Sequence, residues 1–419
     1  MYPEHRPGYY NPLLFILNLF VLLKYFIPLG IIPKGIIPKS IFIMTTESPF
    51  RFGKVVTGEY FINRKSEIKR IQNNIISGIN TILMSPRRLG KSSLIKQIAQ
   101  KTSSKKNKFV FIDFYNIRTE EEFYNVYAQE ILKATLTKAD EILKAGKNFF
   151  RTIIPHISFS VDPGHDLSVR FNWNEIKKVK SEILNLPELV ARKKNIRLIV
   201  CIDEFQNIAK LKDYLQIEEE LRACWQHHDH VSYCLYGSKR HMMSEIFNQE
   251  SRPFYRFGDL MVLEKISKAN WMSFIIKSFT NTGKNITPHH SEKIIEISNN
   301  HPDYIQQLSH HVWNLTDYDV NDNTIRNGIE LVLNSNTMLY METCDNLSST
   351  QINLIKAVAN NESRFTSHSI MNQYGLGTPR NVSKNKMILE TKEIIDFHAE
   401  NAYFVDPFFE YWFRNTFLK

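Results

Sequence analysis

Short apolar runs alternate with helical patterns over the first two thirds of the chain. The runs lie at residues 81–84, 109–114, 198–202 and 231–236. Between them, apolar residues recur every three or four positions, as over residues 67–79, 120–143 and 215–226, which is the spacing of an amphipathic helix. Strands that alternate with helices in this way predict an α/β fold, with a parallel, doubly wound sheet flanked by helices. Such a sheet binds its ligand at the carboxyl ends of its strands.

The pattern changes after residue 265. Only helical spacing continues at residues 271–280, 291–298, 304–315 and 324–333, so we expect a helical region over 266–346. Three further helical segments then precede two short strands, at residues 351–359, 366–373, 380–391, 394–398 and 402–405. Three helices followed by a hairpin predict a winged helix over residues 347–419.

Two smaller features precede the third apolar run. Residues 157–161 and 167–171 alternate between apolar and polar positions around an Asp-Pro-Gly turn, which predicts a hairpin. Residues 181–193 have helical spacing, with a kink expected at Pro187.

An octapeptide between the first run and a helical stretch carries the clearest chemistry. Residues 85–92 read Ser-Pro-Arg-Arg-Leu-Gly-Lys-Ser and follow the phosphate-loop pattern G-x-x-x-x-G-K-[ST], with Ser85 at the first glycine position. In such a loop the backbone N–H groups hold phosphates, Lys91 reaches the β- and γ-phosphates, and the Ser92 hydroxyl binds Mg²⁺. We therefore predict an ATP site formed by Ser85, Pro86, Arg87, Arg88, Leu89, Gly90, Lys91, Ser92 and Ser93.

The third apolar run ends in two acids, Asp203 and Glu204. In a parallel sheet these residues lie at the same edge as the phosphate loop. Asp203 is placed to hold Mg²⁺ together with Ser92, directly or through water, and Glu204 to polarise the attacking water as general base beside Lys91. The alternative is a plain boundary between strand and loop, which the position downstream of a phosphate loop disfavours.

The composition limits the remaining possibilities. Of 419 residues, 43% are hydrophobic and 23% are charged, as in an ordinary globular protein. The four cysteines are scattered without a C-x-x-C pair, which argues against a zinc site and fits a reducing compartment. A net charge of +10 fits either nucleic-acid binding or a lysine-rich solvated surface. None of the basic clusters interleaves with aromatic residues in sequence as a single-strand binding groove would.

With its two motifs, the chain resembles the archaeal-type ATPase family, a branch of the signal-transduction P-loop ATPases related to the AAA+ group. Further matching pieces lie in the expected order at residues 49–53, 61–67, 109–114, 236–243, 252–256, 301–308 and 406–412. The resemblance covers roughly Pro49 to the end of the chain. It implies a P-loop ATPase core at residues 44–265, a helical lid of the AAA+ type at 266–346 and the winged-helix domain at 347–419.

The resemblance also implies roles for residues outside the two motifs. Ser238 follows the sensor strand and is expected within reach of the γ-phosphate; the alternative is an ordinary turn serine. Arg256 is our choice for an arginine contact to the γ-phosphate, in cis or from a neighbouring subunit, with Arg222 and Arg240 as competitors. His301 and Pro302 match the lid motif and either close the lid on the nucleotide or only begin a helix.

Residues 1–43 are hydrophobic and precede the family-like sequence. Residues 13–23 are apolar except for Asn18, and Lys24 and two prolines then interrupt the apolar pattern. The uninterrupted run is shorter than the about 20 residues that a membrane span needs. We expect Met44 to be the true start and the protein to be cytoplasmic. The alternatives are a membrane anchor that leaves the ATPase domain in the cytoplasm, with membrane contact only in that case, and a signal peptide.

These observations favour an ATP-driven switch that hydrolyses ATP slowly with Mg²⁺. Its expected partner is a second copy of the chain, in a homo-oligomer, or a protein client. The alternative is an ATP-sensing regulator that binds DNA through the winged helix. Residues 351–419 hold eight basic and seven acidic residues, so DNA binding there is not favoured, although Arg380, Lys384 and Lys386 cluster on the expected recognition helix. No nuclease motif follows residue 347, and a nuclease fusion is not expected.

Overall fold

The computed structural model describes residues 47–135, 158–161, 167–170, 173–398 and 401–418. The hydrophobic segment 1–43, the second part of the helix predicted at 120–143 and the turn of the predicted hairpin lie outside these ranges. In the described part of the chain, no helix is both long and apolar enough to cross a membrane.

The first part of the chain alternates strands with helices, as its hydrophobic pattern predicts. Its strands are β1 (Thr81–Met84), β2 (Asn107–Asp113), β3 (Ser158–Val161), β4 (Leu167–Arg170), β5 (Arg197–Asp203), β6 (Val231–Gly237) and β7 (Asp259–Val262). Its helices are α1 (Lys65–Ser77), α2 (Lys91–Thr102), α3 (Glu120–Thr135), α4 (Trp173–Lys194), α5 (Tyr214–Trp225) and α6 (Arg240–Asn248). Strands β3 and β4 pair antiparallel as the predicted hairpin, and α4 continues through Pro187.

Five strands form one parallel sheet in the order β2-β5-β6-β1-β7. Alternate residues of a strand face opposite sides of the sheet. Ile82 therefore joins the hydrophobic cluster beside α3, α4 and α5, whereas Leu83 joins the cluster beside α1 and α2. Because both faces are covered, the inner strands read as continuous apolar runs. This architecture confirms the predicted doubly wound α/β fold.

The edge strand β7 and the helix α6 lie outside the predicted elements. β7 pairs with β1 along only four residues, and both Leu260 and Val262 remain partly exposed, so its apolar pattern is short. α6 begins directly after the turn that ends β6 and buries Met243, Ile246 and Phe247. β7 is held by its pairing with β1, and α6 by the packing of Phe247 against Phe205 and Phe254, more than by a long periodic sequence of their own.

Only helices follow β7 until the final hairpin. The first four are α7 (Lys268–Asn281), α8 (Pro288–Ile297), α9 (Pro302–Leu315) and α10 (Asp322–Asp345). The last part consists of α11 (Ser349–Ala359), α12 (His368–Tyr374), α13 (Pro379–Thr391), β8 (Ile395–His398), β9 (Asn401–Phe404) and α14 (Pro407–Phe417). The helical lid and the winged helix are thus both present, and α14 adds a helix after the hairpin.

Helix α10 extends well beyond the predicted end at residue 333. The stretch Asn334-Ser335-Asn336-Thr337 consists of weak helix formers, which is why the pattern stops there. Tyr340 and Cys344 are nevertheless buried on the same helix and bind it to the winged helix. The Tyr340 ring lies 5.4 Å from that of Phe409 and 5.6 Å from that of Trp412. Tertiary packing therefore overrides local propensity.

The lid and the winged helix share one hydrophobic cluster. It contains Ile294 of α8, Ile305 of α9, Val332 of α10, Leu354 of α11 and Phe408 of α14. The sheet, in contrast, packs into two clusters of its own. Because the lid and the winged helix have a continuous core, we expect them to move together as one body against the sheet.

Candidate functional site

The loop after β1 is built to receive an anion. Ser85 N donates to Gly237 O at 3.4 Å, so the loop begins against the end of the neighbouring strand β6. Gly90, with φ of 92°, lies in the left-handed region that favours glycine and precedes the first residue of α2. The first N–H groups of a helix have no intrahelical partner and favour negative charge, so a phosphate fits there.

Lys91 lies folded back into this loop. Its side chain is 6% exposed, and Nζ donates to Ser85 O and to Pro86 O, both at 2.9 Å. Burial lowers the pKa of Lys91 to about 8, although the carboxylates of Glu204 and Asp203 act in the opposite direction. The ammonium group therefore lies inside the loop, beside carbonyl oxygens that phosphate oxygens can replace.

The two predicted Mg²⁺ ligands are in direct contact. The Ser92 hydroxyl at the start of α2 donates to Asp203 Oδ2 at the end of β5, at 2.7 Å. Burial raises the pKa of Asp203 to about 6, and the hydrogen bond from Ser92 partly offsets this rise. A hydroxyl and a carboxylate are the hard oxygen ligands that Mg²⁺ prefers, so these residues fit the ion.

Glu204 adopts an unusual backbone conformation beside this pair. Its φ of 49° is left-handed, which costs a non-glycine residue about 1–3 kcal/mol and persists where the surroundings fix it, often at functional sites. Its Oε2 accepts from the Ser238 hydroxyl at 2.9 Å and from Gln206 Nε2. The structure thus brings Ser238 to the proposed general base, and its contact with a γ-phosphate stays a prediction.

Gln206 and Gly237 complete this arrangement, although neither has an assigned role in the sequence prediction. A Cβ added at Gly237 would lie 1.9 Å from Gln206 Oε1, so only glycine leaves room for the glutamine beside Glu204. Gln206 Oε1 is buried and, within the described residues, has no hydrogen-bond partner. The Asp-Glu-Phe-Gln and Tyr-Gly-Ser sequences contained these residues, but only the pairing of β5 with β6 shows that they meet.

A cleft of about 750 Å³ lies over the phosphate loop. Its walls are residues 51–56, the loop with α2, and the start of α9, including Pro302 and Asp303. Ligand pockets commonly measure about 300–1,000 Å³, so a nucleotide fits. Hydrogen bonds join residues 51–56 to α2 and to α9. Val56 N donates to Ser93 Oγ at 3.1 Å, and Arg51 N donates to Gln306 Oε1 at 3.1 Å.

A buried arginine binds the backbone of the phosphate loop. Arg64 precedes α1 and is 5% exposed, with its guanidinium donating to Leu89 O at 3.3 Å and to Glu264 O. Glu67 completes the arrangement at 3.0 Å. Arg64 and Glu67 lie in the segment 61–67, which resembles the family. That resemblance was the only sequence signal for these two residues, and it gave them no role.

The two arginines of the loop reach the lid and the winged helix. Arg87 Nε lies 2.7 Å from Oε2 of Glu393, which stands between α13 and β8. Arg88 Nη1 lies 3.5 Å from Asp303 Oδ2 and 3.4 Å from the Tyr304 hydroxyl, both on α9. The sequence showed no role for either arginine, because their partners are far away along the chain.

His301 and Pro302 lie at the junction between lid and loop. Pro302 is the first residue of α9 and also lines the cleft. His301 is 5% exposed and forms a hydrogen bond with the backbone of Arg87, but its Nδ1 has no partner within the described residues. Burial lowers the pKa of His301 to about 3, so the ring is neutral at physiological pH. The lid thus contacts the loop directly through a neutral side chain.

Arg256 is separated from the phosphate loop. β7 runs parallel to β1, with Asp259 opposite Thr81 at the start of each strand, so the residues before β7 lie at the amino edge of the sheet. There, Arg256 lies over the Tyr255 ring at 5.1 Å and lines a cavity with Phe247. The phosphate loop occupies the opposite edge. This geometry does not support a contact with a γ-phosphate in cis, whereas contact from a neighbouring subunit stays a prediction.

The competing arginines differ in position. Arg222 lies over the ring of Phe257 at 4.9 Å, on the same side as Arg256. Arg240 follows the carboxyl end of β6, lines a cavity with Pro86, and lies 3.7 Å from Asp396 Oδ2. Of the three arginines, Arg240 therefore lies nearest to the loop within the chain.

Two sequence families match the chain. A family described as "ATPase domain predominantly from Archaea" matches residues 61–308, which is more than half of the chain. The chain belongs to this family. A family described as "Probable winged helix domain" matches residues 338–415. The archaeal-type ATPase resemblance is therefore confirmed, and the winged-helix match begins inside α10, before the boundary expected at residue 347.

Solved structures share this fold. The Walker-type ATPase PABY2304 of Pyrococcus abyssi superposes with a TM-score of 0.63 and 16% identity, covering 87% of this chain and 99% of that chain. The ORC2 protein of Aeropyrum pernix, in ADPNP–ADP complexes, superposes with a TM-score of 0.52 and 12% identity, covering 85% and 96%. No curated protein matches the chain in sequence. At these identities the likeness extends to the fold alone.

Proposed function

We propose that this archaeal-type ATPase is an ATP-dependent switch. It binds ATP with Mg²⁺ over the phosphate loop and hydrolyses it slowly, and the nucleotide sets the position of the lid and winged helix against the sheet. One observation carries the proposal: Arg87 and Arg88, inside the phosphate loop, pair with Glu393 of the winged helix and Asp303 of the lid. Arg87 and Arg88 would therefore contact the phosphates, and the same two side chains hold the lid and the winged helix against the loop.

The binding step uses the loop and the start of α2. Backbone N–H groups of residues 87–92 receive the phosphates, and Lys91 exchanges its two carbonyl partners for phosphate oxygens. The Ser92 hydroxyl and the Asp203 carboxylate would hold Mg²⁺, which neutralises charge on the β- and γ-phosphates. The presence of Mg²⁺ in this site is part of the proposal.

The hydrolytic step falls to Glu204. A carboxylate at the end of β5 can accept a proton from a water that attacks the γ-phosphate. Ser238 and Gln206 both donate to Glu204 Oε2, and so hold the side chain in place.

The switching step depends on competition for the two arginines. An exposed arginine–carboxylate pair contributes about 0.2–1 kcal/mol, and both arginine side chains are more than half exposed. Hydrogen bonds to charged groups contribute about 1.5–3 kcal/mol each. A γ-phosphate can therefore draw Arg87 or Arg88 away from its carboxylate, which loosens the contact of the lid and winged helix with the loop.

DNA binding through the winged helix remains the second candidate, and the structure gives it little support. On α13, Arg380 and Lys384 are exposed. Lys386 Nζ, in contrast, lies 4.8 Å from the ring centroid of Phe365 and 5.1 Å from that of Phe397. One of the three basic residues is thus partly buried against aromatic rings. A homo-oligomer, in which Arg256 of one copy would reach the site of another, remains compatible with the exposed cleft.

The test is ATP binding and turnover by the purified protein with and without Mg²⁺. Lys91→Ala should abolish tight ATP binding, because the β- and γ-phosphates lose their buried countercharge while Gly90 keeps the loop foldable. Lys277→Ala, at an exposed position of α7, is the matched control and should behave as the parent does. If Lys91→Ala binds ATP as well as the parent does, the proposed nucleotide site is wrong.

A further inference from the structure

A basic surface lies at the amino edge of the sheet, away from the nucleotide cleft. Between Ser92 and Ile112 the chain has five lysines and no acidic residue, and between Arg192 and Ile202 it has four basic residues and no acidic one. β2 and β5 pair in parallel, with Asn107 opposite Arg197. The fold therefore places the ends of two basic stretches, distant in sequence, side by side.

Backbone hydrogen bonds fix this arrangement. Arg197 N donates to Lys106 O at 2.7 Å, which joins the two stretches directly. The Ser104 hydroxyl accepts from Lys106 N at 3.2 Å and from Asn107 N at 3.0 Å, so the turn before β2 is ordered. Lys105 and Lys106 are exposed on that turn. We define the amino-edge surface as Lys101, Lys105, Lys106, Lys108, Arg192 and Arg197.

Two aromatic rings continue this surface along the edge strand β2. Phe109 and Phe111 are partly exposed on the face towards α2 and stack with ring centroids 6.3 Å apart. Lys96 Nζ lies 3.1 Å from the centroid of Phe111. These residues, with Lys108, line a cavity of about 340 Å³ between α2 and β2. Aromatic and basic residues therefore do interleave here, contrary to the expectation from the sequence: Lys108, Phe109 and Phe111 lie on β2, and Lys96 joins them from α2.

We propose that the amino-edge surface binds single-stranded nucleic acid. The exposed Lys101, Lys105 and Lys106 would contact phosphates first, with the partly buried Lys108 and Arg197 behind them, and the Phe109–Phe111 pair would stack an unpaired base. Proteins that bind single strands combine these two features, a cationic track and aromatic platforms. In a duplex the base faces are covered by their neighbours, so the rings favour a single strand. The surface faces away from the phosphate loop, and this binding does not depend on the proposed hydrolysis.

Fluorescence anisotropy with a labelled oligothymidylate, measured over a range of salt concentrations, tests the proposal. Lys105→Glu/Lys106→Glu should weaken binding at least tenfold and reduce the slope of log K against log salt by at least about 1.4, since each phosphate contact with a single strand contributes about 0.7. Phe109→Leu keeps every charge and should weaken binding by about fivefold or more through lost stacking. A thermal melt of each variant checks that the fold is kept.

The matched control is Arg380→Glu/Lys384→Glu on α13, which changes net charge equally at two exposed positions. Its affinity for the oligothymidylate should stay within about twofold of that of the parent, and this small difference allows for the change in net charge. Loss of binding in this control alone would overturn the proposal in favour of the winged helix. Equal affinity for a duplex with no effect of Phe109→Leu, or binding only to anionic lipid vesicles, would also overturn it.

Discussion

Arg87 Nε lies 2.7 Å from Glu393 Oε2, so an ion pair joins the phosphate loop to the winged helix. The glutamate side chain is 19% exposed and the arginine 55%, so the pair stands at the rim of the interface, with the carboxylate on the inner side. Glu393 itself has a left-handed φ of 56°, at the turn between α13 and β8. A winged-helix carboxylate is thereby held beside the loop that would receive nucleotide phosphates.

Removing the charge of Glu393 should raise the affinity for ATP. Glu393→Gln keeps the shape of the side chain but no longer competes with phosphate for Arg87. Since an exposed pair contributes about 0.2–1 kcal/mol, we expect ATP to bind up to about fivefold more tightly by titration calorimetry. Glu342→Gln, on an exposed position of α10, is the control. An unchanged affinity in Glu393→Gln would mean that the pair plays no part in the nucleotide response.

Glu204→Gln should retain ATP but slow its hydrolysis. The substitution removes the general base and keeps the size of the side chain, so turnover should fall by about 10²–10⁴-fold while binding changes little. Ser238→Ala should have a smaller effect, because Gln206 still donates to Glu204. Steady-state phosphate release and calorimetry measure the two quantities. Turnover equal to that of the parent would place the base elsewhere.

Stability should fall in mild acid because of His301. Burial lowers its pKa from 6.5 to about 3, so below pH 6.5 the unfolded chain binds a proton here that the folded chain does not. The free energy of unfolding therefore falls as the pH falls from 6.5 towards 3, by up to about 1.4 kcal/mol per pH unit from this residue.

His301→Gln should flatten this dependence, since glutamine keeps an N–H donor and does not titrate. Urea unfolding between pH 6.5 and 5 measures the slope. His228, whose pKa burial lowers to about 4, contributes a similar slope in parent and variant and does not affect the comparison. An identical slope in both proteins would show that His301 is not kept neutral by the fold.

The sequence was sufficient to predict the sheet and the meeting of Ser92 with Asp203 at its carboxyl edge. Ser92 and Asp203 come together because the carboxyl ends of parallel strands meet at one edge, and this rule needs no detail of packing. The pairs Arg87–Glu393 and Gln206–Glu204 were not predicted, because they depend on how the winged helix docks and on the space left by Gly237. The direction of β7 places Arg256 at the other edge, so only its contact from a neighbouring subunit stays a prediction.

The most direct test of the switch is a distance between the sheet and the winged helix. Spin labels at Lys212→Cys, after β5, and Lys384→Cys, on α13, occupy exposed positions. Cys224→Ser removes the partly exposed native thiol, and the other three cysteines are buried. In a Glu204→Gln background, ATP with Mg²⁺ should shift the distribution of distances measured by pulsed electron paramagnetic resonance, and adding Lys91→Ala should abolish the shift. If calorimetry shows ATP bound and the distribution is the same with and without it, the nucleotide does not move the winged helix and the account is wrong.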